Sequence, residues 1–488
     1  MNRLNKMTSI ALALVITASV AVAAPFTFGV ISDTQDTAGT GTNSVATNII
    51  AAVNQQFIAK GVSFVVQPGD LTDTGNAVSL QARLNANAPL TAAGIAFYGL
   101  RGNHEGDATS QAFFQANYIP ASSGGVAVSV APFDNTSYSV TYNGTKIVML
   151  DYNTSGSTSL MDSATAWTGA QLGVADHTQA FVFHHKNLLG QNHKDNQFGS
   201  GNDSNPTQQN AFISTLQNNG VRYDISGHDH MDHRSMVTSP DGNSKVQELI
   251  CASDSTKYYA ASSGFSTRET VYSDQQDKIG YYTFTVDGPR VTGRYYATDH
   301  MPNGDISASP TWTLMETFGY STNGKQFTVA RGASYSAVSN SIASGSGFLG
   351  TAMSLGGTNT LTATAEGARA EADDVNTGWT PAVAGMRSDI LTLWGLANAL
   401  GATTTDAYAL TMSYTPGAVS PVIAHQNDDG SWAPLASVDN LDGTISASGL
   451  NYAGNFAVVP QGFVPEPASV SLLVLGGLAV MARRRNRR

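Results

Sequence analysis

The sequence predicts a mixed α/β protein: a two-sheet β-sandwich flanked by helices, followed by a smaller C-terminal β-rich domain. Three observations lead there. Short apolar runs of strand length recur through the first 300 residues, several of them ending in polar or charged side chains. Between two of these runs, residues 43–60 carry Val45, Ile49, Val53 and Phe57, a four-residue spacing that marks one face of a helix. After about Met301 the composition shifts to Gly, Ser, Thr and Ala, and later short strand-like runs are separated by Asn/Asp-Gly turns.

Taken in order, residues 26–32 read as a strand, 43–60 as a helix, and 62–67 and 95–100 as two further strands. Residues 137–142 and 146–151 form a hairpin around Asn143-Gly144, a pair suited to a tight primed turn. Runs at 179–184, 222–226 and 246–251 continue the strand series. A second hairpin joins 280–286 to 290–297 across Asp287-Gly288. In the last part, residues 407–414, 422–425, 444–447 and 455–459 read as strands of a small sandwich. The organisation expected is a signal at 1–23, a main domain at 24–300, a Gly/Ser/Thr-rich connection at 301–403, a β-rich domain at 404–462 and a terminal signal at 463–488.

The two ends predict export. Arg3 and Lys6 precede an apolar run from Ile10 to Val22 and then Ala21-Val22-Ala23, the charged, apolar, small-residue order of a secretory signal peptide. At the other end, Pro465-Glu466-Pro467 leads into an apolar run and five arginines between Arg483 and Arg488. This tail resembles the PEP-CTERM sorting signal of Gram-negative bacteria. The resemblance implies transient membrane contact, processing by an exosortase-type enzyme, and release to the cell surface or extracellular matrix. A single cysteine, Cys251, excludes an intramolecular disulfide framework, and its apolar neighbours predict a buried thiol. The formal charge is −11, and both end segments are net basic, so the mature chain is more acidic still. Such a chain repels a polyanion at long range, and no stable nucleic-acid binding is expected.

Five short stretches carry the chemistry. They are Asp33-Thr34-Gln35, Gly69-Asp70-Leu71-Thr72-Asp73, Gly102-Asn103-His104-Glu105, His184-His185 and Gly227-His228-Asp229-His230. Four of them directly follow an apolar run, which brings their side chains to one edge of a sheet. Carboxylate and amide oxygens with imidazole nitrogens suit borderline divalent metals such as zinc, iron and manganese. One Asp carboxylate has two oxygens and can bridge two ions. Each stretch alone is a weak signal; all five in order are far harder to produce by chance.

As a set, the five resemble the motif series of the calcineurin-like metallophosphoesterase superfamily, which includes purple acid phosphatases and cyclic-nucleotide phosphodiesterases. The resemblance covers about residues 26–298. It implies two divalent or trivalent metal ions (iron, zinc or manganese), with Asp33 and His230 on the first, Asp70 bridging, and Asn103, His184 and His228 on the second. It also implies that a metal-bound hydroxide attacks a phosphate ester while His104 protonates the leaving group or stabilises the phosphoryl oxygens.

Three positions depart from the family pattern. Gln35 stands where histidine is usual, and it is a weak ligand, a contact through water, or no ligand. Asp73 stands where purple acid phosphatases have a tyrosine, which argues against ferric-tyrosinate chemistry and for an orienting role. His184 is assigned as ligand by position, with His185 as the alternative. Glu105 reads as structural or solvated, Arg101 as a structural ion pair, and His193 and Asp195 as part of a polar loop. The function expected is hydrolysis of phosphomonoesters or phosphodiesters. The alternatives are a cyclic-nucleotide or nucleotide phosphodiesterase, and a non-catalytic surface or matrix binding protein with a degenerate domain.

Overall fold

The computed structural model describes residues 25–462, apart from 107, 121–135, 152–156, 262–265, 323–324, 330–334, 339–347, 357–367, 374–384, 397–405, 428–430 and 452. Both export signals expected from the sequence lie outside the described residues. Among the described residues no helix is long and apolar enough to cross a membrane.

Among the described residues the first domain contains fifteen strands: β1 Phe26–Val30, β2 Phe64–Gln67, β3 Ala96–Gly99, β4 Tyr138–Tyr142, β5 Thr145–Met149, β6 Gln179–Phe183, β7 Asp195–Asn196, β8 Gly199–Ser200, β9 Tyr223–Ser226, β10 Asp232–Thr238, β11 Lys245–Ile250, β12 Glu269–Gln275, β13 Ile279–Asp287, β14 Arg290–Thr298 and β15 Thr313–Ser321. One sheet has the order β15-β14-β13-β1-β2-β3, the other β12-β10-β11-β9-β6-β5-β4. In the first, β1, β2 and β3 run parallel. In the second, β5, β6, β9 and β11 run parallel. Parallel strands need crossover connections, which is why helices alternate with them.

The two sheets face each other across an aromatic core. Phe28 stacks on Phe64 and on Phe284 at centroid distances of 5.0 and 5.2 Å, and meets Phe181 of the opposite sheet edge-on at 5.1 Å. Helices cover the outer faces. The helix α1 Thr47–Ala59 lays Ile49, Ile50, Val53 and Phe57 against Ile31 and Val65 of the first sheet. Over the second sheet, Met161, Ala164 and Trp167 of the helix Thr158–Leu172 and Phe212, Ile213 and Leu216 of the helix Pro206–Asn218 pack on Val148 and Val182. Strand alternation therefore assigns Phe181 and Phe183 to the inner core and Val182 to the outer one.

The expected hairpins form. Asn143 and Gly144 both have positive φ (45° and 74°), as a type I′ turn requires. In the second hairpin Asp287 pairs with Arg290, so the two-residue turn is Gly288-Pro289 rather than Asp287-Gly288, with Gly288 at φ 59°.

The boundary drawn from composition needs revision. The described residues of 301–403 do not form a separate connection. β15 completes the first sheet through β14, and the strands from residue 325 onward belong to the second domain. That domain is a β-sandwich whose sheets centre on the strands Ile390–Trp394 and Gly454–Pro460 and on Tyr408–Ser413 and Thr444–Leu450. Leu355, Leu391, Leu410, Ile423, Ile445 and Phe456 lie in its core. Small polar residues hid these strands, because alternation of Ser and Thr with few apolar residues gives a faint period-two signal. Arg369 joins the domains by donating from Nη2 to the Gly319 carbonyl oxygen at 2.6 Å.

Candidate metal centre

The motif residues gather where the parallel strands of both sheets end. Asp33 follows β1, Asp70 follows β2, Asn103 follows β3, His185 follows β6 and His228 follows β9. Carboxyl ends of parallel strands are where open α/β sheets place their ligands, because the connecting loops diverge there. The backbone is bent sharply at these points. Asp33, Asp70, His228 and His230 have φ of 46°, 43°, 69° and 53°. A non-glycine residue in this region carries a cost of about 1–2 kcal/mol, so four in one site mark a constrained constellation.

Hydrogen bonds hold the bends. Thr34 N donates to the Asp70 carbonyl oxygen at 2.9 Å, tying the first two loops together. Glu105 is fully buried, and its carboxyl accepts from Gly102 N, Thr72 N, the Thr72 hydroxyl and Leu71 N at 2.9–3.3 Å. It therefore clamps the Asp70 loop to the Asn103 loop, the structural one of its two readings. Arg101 likewise pairs with Asp151 at 2.6 Å. Two glycines let the loops touch. A Cβ at Gly102 would lie 2.0 Å from Asp70 Oδ1, and one at Gly227 would lie 2.4 Å from Asp33 Oδ2.

Two triads result, sharing one carboxylate. Ligand atoms of Asp33, Asp70 and His230 all lie within 4.8 Å of one another, as do those of Asp70, His185 and His228. Two of the three rings have one nitrogen held by a backbone carbonyl. His230 Nδ1 faces the Lys257 carbonyl oxygen at 3.1 Å and leaves Nε2 3.5 Å from Asp33 Oδ1. His185 Nδ1 donates to the Pro68 carbonyl oxygen at 3.0 Å, and its Nε2 lies 2.9 Å from Asn103 Oδ1 and 3.2 Å from Asp70 Oδ1. Fixing one ring nitrogen in this way aims the other.

Of the expected set, Asp33, Gln35, Asp70, Asn103, His228 and His230 come together here. His184 does not. Its ring is fully buried, with Nε2 2.6 Å from Asp224 Oδ2 and Nδ1 2.6 Å from the Lys186 carbonyl oxygen, and it packs near Phe212 on the outer face. His185 takes the place in the cluster. The reason is alternation: with Phe181 and Phe183 pointing inward, 184 points out and 185 in. A run apolar on both faces concealed that register from the sequence.

Electrostatics follow from burial. Burial opposes charge on both Asp70 and His185, yet their mutual attraction wins: the Asp70 carboxyl is held well below the usual range and His185 is raised to about 9. Burial pushes Asp33 up to about 6 and His230 down to about 3.

Gln35 is buried and donates from Nε2 to Asp70 Oδ2 at 2.6 Å, while its Oε1 has no hydrogen-bond partner among the described residues. An unpaired buried amide oxygen is costly. A cation would satisfy it, and the surrounding oxygen and nitrogen donors suit a borderline divalent ion. The residues present therefore fit a metal pair, with Asp33, Gln35, Asp70 and His230 around one ion and Asp70, Asn103, His185 and His228 around the other.

His104 stands at the rim with its side chain 28% exposed. Nδ1 donates to the Asp73 carbonyl oxygen at 2.6 Å, and Nε2 lies 3.9 Å from Asp70 Oδ2. Asp73 orients this ring through its backbone, and its carboxylate pairs with Lys257 at 2.5 Å.

Residues 26–232 match the model of the calcineurin-like phosphoesterase family. The fold of this domain is metallophosphoesterase-like, with strand-end loops that supply the donors. Among solved structures, PhoD is 14% identical, with 61% of this chain and 70% of that chain covered and a TM-score of 0.42. A dimetal phosphatase from Danio rerio is 17% identical, covering 55% and 95%, with a TM-score of 0.38. A purple acid phosphatase from yellow lupin (Lupinus luteus) seeds is 14% identical, covering 61% and 54%, with a TM-score of 0.43. No curated protein sequence matches the chain.

Around the motif residues the structure adds others that sequence reasoning left in a loop or passed over. The His193 ring lies 4.3 Å from that of His228, and Tyr259 flanks both His193 and His230 at 5.0 and 4.9 Å. Buried Asp229 accepts from Asn187 Nδ2, Gln191 N, His193 N and His193 Nδ1 at 2.5–2.9 Å, which draws the segment 187–193 over the site. Asp195 reaches His228 Nε2 at 3.4 Å and pairs with Lys186 at 2.7 Å. Of these, only Asp229 sat inside a motif; His193, Asp195 and Tyr259 meet motif residues that lie far from them along the chain, which no local pattern reveals.

Proposed function

We propose that this protein is an exported, metal-dependent phosphoesterase that hydrolyses phosphate esters. The observation that carries the reading is the Asp70 carboxylate shared by two buried donor triads. When bound, a metal pair supplies neutralisation of phosphoryl charge and acidifies water for attack on phosphorus. The chain's own residues do the rest. Asp70 would hold both ions, while the Pro68 and Lys257 carbonyls fix the tautomers of His185 and His230. His104 donates Nδ1–H to the Asp73 carbonyl oxygen and presents Nε2 to the site, where, when that nitrogen also carries a proton, it protonates the leaving-group oxygen or stabilises phosphoryl charge. Export rests on the charged, apolar and small-residue order at the N-terminus and on the Pro-Glu-Pro, apolar and arginine-rich tail.

The test is hydrolysis of p-nitrophenyl phosphate and its bis ester with added manganese or zinc, beside metal analysis of the purified chain. About two ions per chain and turnover lost in His104→Ala support the reading. A protein that binds no metal after metal-replete refolding is instead the non-catalytic binder. Expression with and without residues 463–488, followed by fractionation, tests the route to the cell surface.

A further inference from the structure

We infer that Lys257 is a substrate-binding residue that selects phosphomonoesters over phosphodiesters. The proposal deepens the phosphoesterase reading and rests on it.

Lys257 sits on a strap, residues 253–259, that is stitched to the first half of the cluster. Asp254 N donates to the Ser32 carbonyl oxygen at 3.0 Å and Thr256 N to the Gln35 carbonyl oxygen at 3.1 Å. The Ser253 and Ser255 hydroxyls reach the Lys257 carbonyl oxygen at 2.6 and 3.1 Å, and the same oxygen faces His230 Nδ1. The backbone of Lys257 is thus pinned behind one candidate metal ligand.

Its side chain crosses to the other side of the site. Nζ lies 2.5 Å from Asp73 Oδ1, and that same oxygen is 3.7 Å from His104 Nδ1. Asp73 Oδ1 thus links the ammonium to the ring assigned to the leaving oxygen. Its side chain is 18% exposed, and Asp73 is its one partner among the described residues. An ammonium has three donors, so two remain for an incoming anion. A surface lysine pair adds little to stability, about 0–1 kcal/mol, and does not call for so fixed a backbone. Pre-positioning a cation beside an acid does call for it.

The surroundings make this cation matter. The rim carries the carboxylates of Asp73 and Asp195 within a chain of net charge −11. A phosphomonoester near neutral pH carries close to two negative charges, a diester one. A fixed ammonium contacting a phosphoryl oxygen gains more from the dianion.

The experiment compares manganese-loaded full chain with Lys257→Met and Lys257→Arg. Steady-state kinetics on p-nitrophenyl phosphate and its bis ester are read beside calorimetric binding of inorganic phosphate and metal content. Lys257→Met is expected to weaken phosphate binding and raise the monoester KM by about tenfold, as loss of one charge-assisted hydrogen bond implies. The monoester-to-diester ratio of kcat/KM falls by a similar factor, metal content stays unchanged, and Lys257→Arg recovers most of the loss. Equal losses on both esters, or phosphate affinity unchanged in Lys257→Met, overturn the proposal. Wild-type protein that hydrolyses neither ester overturns the phosphoesterase reading. In that event, phosphate binding lost in Lys257→Met still supports the assigned anion contact, and binding retained overturns it.

Discussion

The two halves of the cluster around Asp70 are built differently. The Asp33 half holds one carboxylate, one amide and one imidazole, from Asp33, Gln35 and His230, all buried. The other half holds one amide and two imidazoles, from Asn103, His185 and His228, and Asn103 is exposed. The first is braced from behind by the 253–257 strap, the second by the Pro68 carbonyl and by Asp195. Imidazole-rich sets favour zinc, iron and related ions, whereas oxygen-rich sets favour harder ions and hold transition metals less tightly. The difference teaches that Gln35 does not dismantle the centre; it makes the two positions unequal.

The widest test removes what the halves share. Asp70→Asn takes a charge from both triads, and activity on p-nitrophenyl phosphate is expected to fall by at least about 1000-fold with loss of both ions. Retention of two ions by mass spectrometry under native conditions would show that Asp70 is not the shared ligand.

A second test separates adjacent histidines. His185→Ala is expected to lose about one ion per chain and about 100-fold in kcat. His184→Ala keeps its metal but is destabilised by about 3 kcal/mol, because Asp224 is left buried without its partner. Denaturant unfolding and metal analysis of the two variants should give opposite patterns; matching patterns would undo the assignment of His185.

The inequality of the halves is sharpened by Gln35→His. Supplying the imidazole is expected to slow chelator-driven loss of the weaker ion by about tenfold. No change in release rate would place residue 35 outside the coordination sphere.

The smallest effect lies behind the second half. Burial opposes charge on His233, but Asp274 and Glu269 raise it to about 9, with Glu269 Oε2 3.0 Å from Nε2. A histidine raised when folded stabilises the protein fully below its ordinary value near 6.5. That contribution is lost as pH rises through 9. The melting temperature should therefore fall by a few degrees between pH 6.5 and 9, about 2–4 °C for each kcal/mol. His233→Gln should flatten that decline, and a wild-type profile without it would remove His233 from the account.

By itself the sequence determined the fold class and most of the residues that gather at the strand ends. Buried strands leave apolar runs, helices leave a four-residue period, and ligands at strand ends must follow those runs directly, so Asp33, Asp70, Asn103, His228 and His230 were all legible. Glycines 102 and 227 stood inside the motifs, but only the fold showed that two loops approach there too closely for a side chain. Tertiary structure alone decided the rest. Whether 184 or 185 points inward depends on strand register, and a strand apolar on both faces does not display its register. The start of the second domain was masked by Ser- and Thr-rich strands whose partners lie far along the chain. Lys257, Tyr259, His193 and Asp195 belong to the site because loops distant in sequence converge on it, and convergence of that kind leaves no trace in the spacing of residues.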